Sequence, residues 1–473
     1  MSRADANIYD AVIIGAGISG LVCGCFLAKA GMQVLIAERH SRPGGYCTSF
    51  KRKGFVFDAA AHSFGSYRDN GNFHRIIREL ELEQRITINK YDPADIVITP
   101  DHTLTFWADR DKTIQEFQQV FPDEPKVREF FTFMASPRPM EIVALRHKSF
   151  QELLDQYFTN NRIKAILSYP LFGNSGLPPS SLSAFTGAKI FTEFIGDGGY
   201  YPEGGMQELP NAFAHKFQEL GGVMKLSSPV VRITVKDGTV SGVVLKTGET
   251  IRSRQVISNC DSRQTFLDLL GEQSIDQRVI AKLNTMTPSL SMFIVYLGVD
   301  HTFGALPPAG STLWYLPHYD LEKLYRSAKS SSETDLTKYL LRVAPDGKSV
   351  LAMANASFKD KHYWDDNRSN LLDLFIDNIQ RTTVPDLSKH VIYKEAATPY
   401  TLYRYTGNSE GAAYGWESTQ QQFMDPDFKK PSFIQGLYLT GHWTTYAQGL
   451  AGVAYLGYDL AISLIRKGKT GKI

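Results

Sequence analysis

Three glycines, Gly15, Gly17 and Gly20, stand at G-x-G-x-x-G spacing, and an acid, Glu38, follows eighteen residues later. Such a set can hold a dinucleotide. Gly15 permits a tight strand-to-helix turn. Gly17 has no Cβ, so a diphosphate can come against the backbone. Gly20 lets helix and strand pack closely. Ile18 and Ser19 would lie in the turn that leads into the helix, whose free N–H groups and partial positive charge suit an anion. Glu38 can accept hydrogen bonds from ribose hydroxyls, and its charge would repel a 2′-phosphate. With 38 glycines in 473 residues, the bare glycine pattern arises by chance in roughly one such chain in four, so its setting must decide.

That setting is present. Residues 11–14 are apolar and mostly β-branched, the pattern of a buried parallel strand. Residues 21–30 read as a helix that Gly31 ends. Residues 34–37 read as a second buried strand with Glu38 at its carboxyl end. Further on, Pro43-Gly44-Gly45 makes a loop suited to a close approach, residues 55–58 a short strand, and residues 59–65 a small-residue bend that carries His62.

From about residue 66 to 200 the pattern changes. Surface helices are expected at 73–82 and 112–120, aromatic clusters at 130–133 and 150–158, and loops around Pro122, Pro125, Pro137, Pro139, Pro178 and Pro179. This reads as a mostly helical substrate region. Residues 207–220 form a helix closed by Gly221-Gly222. Strands follow at 223–226, 230–235 and 240–245, the last two joined by an Asp237-Gly238 hairpin turn. Residues 255–259 return as a buried strand, residues 289–355 carry alternating strands, and a helix is expected at 371–380. A last strand falls at 436–441 and a closing helix at 450–465. The fold class is therefore α/β: a discontinuous Rossmann-type domain with an inserted β-meander, plus a second α+β substrate-binding domain. The nucleotide domain would take residues 1–65, 200–288 and 396–473, and the substrate domain, with a helical lid, residues 66–199 and 289–395.

Composition narrows the classes. Lys plus Arg is 51 against 49 for Asp plus Glu, so nothing suggests a nucleic-acid binder. A length of 473 residues predicts two domains. No apolar run reaches the roughly eighteen residues that span a bilayer. Charges precede the first apolar run, so no cleaved signal peptide and a cytoplasmic location are expected. Cys23, Cys25, Cys47 and Cys260 read as reduced thiols, and no metal-ligand cluster or internal repeat is evident. The basic run from Arg466 to Lys472 is either a solvated end or a peripheral contact with the inner membrane surface.

Taken together, seven blocks resemble the FAD-dependent phytoene desaturase family, in the branch of carotenoid isomerases and retinol saturases, with flavin amine oxidases as wider relatives. The blocks are Gly15 to Gly20 with Glu38; Arg42-Pro-Gly-Gly45; Phe57-Asp58 leading to His62; Tyr201-Pro-Glu-Gly-Gly205; Val256-Ile-Ser-Asn-Cys-Asp261; Thr398-Pro-Tyr-Thr401 to Gly415; and Gly441 to Gly457. They extend over nearly the full length. The resemblance implies FAD as cofactor, with Glu38 on the adenosine ribose and Arg39 near adenine or phosphates. It implies that Arg42, Gly44 and Gly45 line the pyrophosphate and ribityl path, that Val231 meets adenine through its backbone, and that Gly441 lies near the second phosphate. The family has Gly-Asp at that last place. This chain has His442 after Gly441, which leaves the acidic ribityl contact in doubt. Gly452 and Val453 would begin the last helix, aimed at the flavin N1–C2 region. Negative charge gathers there on reduction, and a helix amino terminus stabilises it.

Three side chains are candidates for catalysis. His62 matches a histidine of the retinol saturase pattern and would line the active site; the plainer alternative is a buried, hydrogen-bonded histidine. His442 and Trp443 follow the last strand, at the carboxyl end where ligands of open α/β sheets lie; ordinary packing is the alternative. Cys47 reads as an inert thiol rather than a covalent flavin anchor. Tyr400, Tyr403, Tyr405, Tyr414 and Trp416 either wall a channel for a long apolar molecule or pack a sheet edge. The implied activity is oxidoreduction of a carotenoid, retinoid or other isoprenoid polyene, as desaturation, saturation or cis-trans isomerisation. The alternatives are a flavin amine oxidase, which needs a lysine over the flavin, and a non-catalytic flavin-bound partner protein. No second strand–G-x-G-x-x-G–helix unit exists for a nicotinamide, so oxygen, a quinone or a protein carrier is the expected electron acceptor.

Overall fold

The computed structural model describes residues 8–135, 138–330, 333–422, 433–444 and 448–469. Strand β1 (Ile8–Ile14) is central to a seven-stranded sheet, with β2 (Val34–Ala37) and β3 (Thr250–Ser258) parallel to it on either side. Val223–Lys225 extends the sheet beyond β2, and Leu437–Leu439 pairs with β3, both in parallel. The hairpin of Val230–Lys236 and Thr239–Leu245 joins the same sheet antiparallel to β3. Its turn residues Asp237 and Gly238 both have positive φ, as the Asp-Gly pair predicts.

Helix α1 (Ile18–Lys29) begins three residues before the expected 21, directly on the glycine turn. It packs along the closing helix, Gly449–Lys469. The approach is close: a Cβ on Gly457 would lie 2.2 Å from the Ser19 carbonyl oxygen. Leu21, Val22 and Leu27 of α1 share a core with Phe213, Phe217, Ala461 and Leu464. Phe73, Ile76 and Ile77 of the helix Asn72–Glu79 also enter this core, although the sequence divides the chain before them.

The second sheet also has seven strands. Its spine is β4 (Ser291–Val299), buried at all nine positions and paired antiparallel with β5 (Ser349–Ala356) on one side. Its other neighbour is β6 (Val391–Ala397). Strands Asp95–Ile98 and Thr103–Phe106 complete the far edge. Those two strands correct the mostly helical reading of residues 66–200. Each has only four residues, too few for alternation to stand out. The sides of β4 alternate. Met292, Ile294 and Tyr296 face helices rich in phenylalanine, including Phe130, Phe172 and Phe191. Phe293, Val295 and Leu297 face α2 (Lys361–Thr382) through Trp364, Phe375 and Ile379. Helix α2 is twice the expected length, because its first turns are polar and apolar periodicity starts only at Leu371. Helix α3 (Pro399–Thr406), started by a Thr398 side-chain cap, leads back to the first sheet.

Candidate active site

The glycine turn is built as a cradle. β1 ends at Ile14, and Gly15 takes φ +96°, which side-chain-bearing residues rarely adopt. A Cβ on Gly20 would sit 2.3 Å from the Gly15 carbonyl oxygen, and one on Gly17 would sit 2.9 Å from Asn259 Nδ2. No side chain caps the amino end of α1. Ile18 and Ser19 line the cavity in front of it. An uncapped helix end offers amide donors and partial positive charge to an anion. Glu38, buried at the end of β2, accepts one N–H on each oxygen, from Ala16 (2.7 Å) and His40 (2.9 Å). Lone pairs remain on both oxygens for a ribose diol. The Gly44 N–H donates to the Ala16 carbonyl (2.8 Å), fastening the loop of Gly44 and Gly45 against the turn.

These elements open onto one cavity of about 1010 Å³. Of the expected cofactor residues, Gly15, Gly17, Ile18, Ser19, Glu38, Arg39, Arg42, Gly44, Gly45, Gly441 and Val453 line it. Three do not. Gly20 faces the Gly15 carbonyl and the Ile13 side chain of β1, where helix–strand packing needs it. Val231 is 46% exposed, and its neighbour Val230 lines the cavity instead. The expectation for Val231 concerns its backbone, so the direction of its side chain does not bear on it. Gly452 is also outside the lining. The closing helix starts at Gly449, one residue before the expected 450 and three before the Gly452 that the resemblance places at its start, and it is Gly449, Leu450 and Val453 that meet the cavity.

Arg39, in the lining, also bonds the segment that leads back from the second sheet. Its guanidinium donates to the carbonyls of Arg404 (2.9 Å) and Tyr405, at the carboxyl end of α3, where a cation suits the helix dipole. The His40 ring stacks on Tyr405 and bonds the same carbonyl (2.6 Å). Arg42 donates to the Ser49 carbonyl (2.8 Å).

The candidate catalytic residues divide. His62 lines the cavity, buried, with Nδ1 3.3 Å from Ser63 Oγ. Burial, and then the nearby Arg342 guanidinium, push its pKa down to about 3. His442 lines the cavity with Nε2 3.4 Å from Asn408 Nδ2, and burial pushes it down to about 4. Both rings are therefore neutral near pH 7. The indole of Trp443 is 2% exposed, edge-on to Trp416 at 4.8 Å, and donates to Asn408 Oδ1 (2.9 Å). It touches the cavity wall, yet its ring belongs to the core beneath. The Cys47 thiol is buried and donates to the Met206 carbonyl (3.3 Å).

Beyond the cradle one stretch of the cavity wall is apolar. Met292, Ile294 and Tyr296 come from one face of β4, Met353 from β5, Ala397 from β6, and Phe194 from the helical side. The Tyr296 hydroxyl donates to the Ala59 carbonyl (2.6 Å) and that of Tyr414 to the Gly173 carbonyl (2.5 Å). Their rings thus face the cavity with the polar ends already satisfied. Of the predicted aromatic stretch, Tyr400 and Tyr414 line the cavity, Tyr405 sits at its exposed edge, Tyr403 is exposed outside it, and Trp416 packs on Trp443. Lys361, Asp365, Arg368 and Arg404 bring charge to the same lining, and Lys361 pairs with Asp365.

Two residues escaped the sequence reading. Asn259, at the carboxyl end of β3, donates to the Gly15 carbonyl (3.3 Å). It is also the neighbour that a Cβ on Gly17 or Gly441 would strike. Its position at a parallel strand end was the available signal. Asn408 joins His442 to Trp443 from a separate loop, and only the fold brings it there.

Comparison with known proteins agrees with this geometry. The family model described as flavin containing amine oxidoreductase matches residues 18–459. An all-trans-retinol 13,14-reductase of Danio rerio is 25% identical, over 91% of this chain and 82% of its own. A chloroplastic prolycopene isomerase 1 of an Oncidium hybrid cultivar is 27% identical, over 96% of this chain and 83% of its own. A solved oxidoreductase from Methanosarcina mazei superposes with a TM-score of 0.66 at 16% identity, covering 97% of this chain and 100% of its own.

Proposed function

The chain belongs to the flavin containing amine oxidoreductase family, and from that footing we propose that it binds FAD and acts on a long apolar isoprenoid, a carotenoid, retinoid or related polyene. The observation that carries the substrate class is the continuity of the cavity from the dinucleotide cradle to a wall of Met292, Ile294, Met353 and Phe194, whose tyrosine hydroxyls are spent on backbone carbonyls. Such a wall holds a hydrocarbon through burial, worth roughly 25 cal/mol per Å².

Flavin, when bound, supplies the two-electron redox chemistry. The chain supplies position. The first turn of α1, with Gly17, Ile18 and Ser19, would hold the diphosphate, and Glu38 the adenosine ribose. The closing helix would present its amino terminus, with Gly449 and Val453, to the flavin ring. His62 and His442, both neutral, can donate or accept one hydrogen bond each without placing a cation beside the substrate. The proposed division gives the cofactor domain residues 1–65, 200–288 and 396–473, and the substrate domain residues 66–199 and 289–395. Oxygen, a quinone or a protein carrier takes the electrons in an oxidative reaction.

No helix among the described residues is long and apolar enough to cross a membrane. A lipid substrate makes peripheral contact with a membrane surface part of the proposal. Of the basic tail, residues 470–473 lie outside the described residues. An amine oxidase would need a lysine over the flavin. Among the described lining residues the lysine is Lys361, held by Asp365 in the first turn of α2. That placement favours the polyene.

The test is direct. The purified protein should be yellow with flavin bands, and organic extraction followed by mass analysis should release FAD and isoprenoid material. Colourless protein that stays colourless after incubation with FAD contradicts the proposal.

A further inference from the structure

We propose a second, metal-binding site, independent of the flavin reading, made by Asp300, His301 and His390. The sequence gives no hint of it, because His390 is ninety residues from Asp300. The second sheet brings them together. Val299, the last residue of β4, pairs with Val391, the first of β6, and the Asp300 N–H donates to the His390 carbonyl (3.0 Å). The three side chains thus project from one end of the sheet, where two adjacent strands end and begin.

Their donors converge. Asp300 Oδ1 lies 2.8 Å from His301 Nδ1 and 3.2 Å from His390 Nδ1, and all three ligand atoms fall within 4.8 Å of one another. A tetrahedral ion about 2.1 Å from each donor needs them roughly 3.4 Å apart; the 3.2 Å pair is near that spacing, and the 2.8 Å pair would open by about 0.6 Å as an ion replaces the proton between them. The imidazole rings stand at 90° with centroids 4.8 Å apart, and His390 is further fixed by stacking on Phe303 at 4.3 Å. Positions are thus set by packing as well as by the hydrogen bonds to the carboxylate. Two imidazole nitrogens and one carboxylate oxygen suit zinc or a neighbouring divalent transition metal better than calcium or magnesium, which prefer all-oxygen sites. His301 and Asp300 are exposed, so water can complete the coordination.

The consequence follows from the strands. β4 and β6 carry Ile294, Tyr296 and Ala397 to the cavity wall. An ion at their other end staples the pair without touching the reacting centre. The role is structural.

Zinc chloride titrated into the FAD-loaded protein after chelator treatment should bind at one ion per chain with micromolar or tighter affinity. It should raise the melting midpoint by about 2 °C and leave turnover at 25 °C unchanged. His390→Ala and Asp300→Asn should each weaken that binding at least tenfold. Zinc should also shield His301 and His390 of the unaltered protein from diethyl pyrocarbonate, read by peptide mass analysis, while the exposed His362 stays reactive. Failure to bind zinc below about 100 μM overturns the proposal. So does binding that both variants retain, or equal carbethoxylation of all three histidines with and without zinc.

Discussion

At the scale of single residues, the site depends on what is missing as much as on what is present. A Cβ on Gly17 would press on Asn259 Nδ2 and stand in the path of a diphosphate. Gly17→Val should therefore weaken FAD binding about a hundredfold, near 2.7 kcal/mol, measured by flavin fluorescence on release. Normal FAD content in that variant would place the phosphates elsewhere. The two buried histidines give a second prediction, with a defined sign. Folding lowers the His62 pKa from 6.5 to about 3, so between those values the unfolded chain binds the extra proton. His62 thus supports the fold fully above pH 6.5, and that support fades as pH falls toward 3. Asp95, whose carboxyl burial raises to about 6, works in the opposite direction, so parent and variant must be compared. The stability of the parent relative to His62→Phe should rise between pH 4 and 7 by at most about 1.4 kcal/mol per pH unit. Urea unfolding at several pH values reads it, and a flat difference would mean that His62 is solvated. Asn259 shows why residue-scale reading stops short. Its amide is chemically ordinary, and only its seat at the end of β3 gives it a place in the cradle.

At the scale of elements, β4 is the hinge between core and cavity. Its alternation sends Phe293 and Val295 to α2, and Met292 and Ile294 to the cavity wall. Ala397 of β6 lies opposite Ile294 in register and completes that wall. Ala397→Phe should fill the space beside it, lowering polyene turnover at least tenfold while FAD content and the flavin spectrum stay as in the parent. Equal loss of FAD and turnover would show that the two regions are not separable. This sheet also marks the limit of legibility. The opening β1–α1–β2 unit reads straight from sequence, because long apolar runs and glycine punctuation agree. The strands Asp95–Ile98 and Thr103–Phe106 do not read, because four-residue strands carry too little pattern and their local hairpin joins the sheet only through Thr312–Tyr315, more than two hundred residues away. The first half of α2 does not read for a related reason: polar turns satisfy helix geometry without apolar periodicity.

At the scale of the molecule, two sheets built from interleaved chain segments meet at one cavity. β1 and β2 come from the start of the chain, β3 from its middle, and Leu437–Leu439 with the closing helix from its end. FAD bridging these segments should stabilise the whole fold, by about 2.7 kcal/mol at a hundredfold excess over its Kd. Removing it should lower the melting midpoint in a manner that added FAD restores. An unchanged midpoint would mean that the cavity closes without its cofactor. The same architecture serves amine and polyene chemistry alike, so the fold leaves the substrate to the wall residues. The most direct measurement incubates the FAD-loaded protein with a forty-carbon polyene or retinoid in mixed micelles, and in parallel with alkyl and aryl amines, and resolves the products by chromatography. Conversion of the polyene by desaturation, saturation or isomerisation is expected, with no amine consumption. Oxidation of amines with release of hydrogen peroxide, and no change in any polyene, would contradict it.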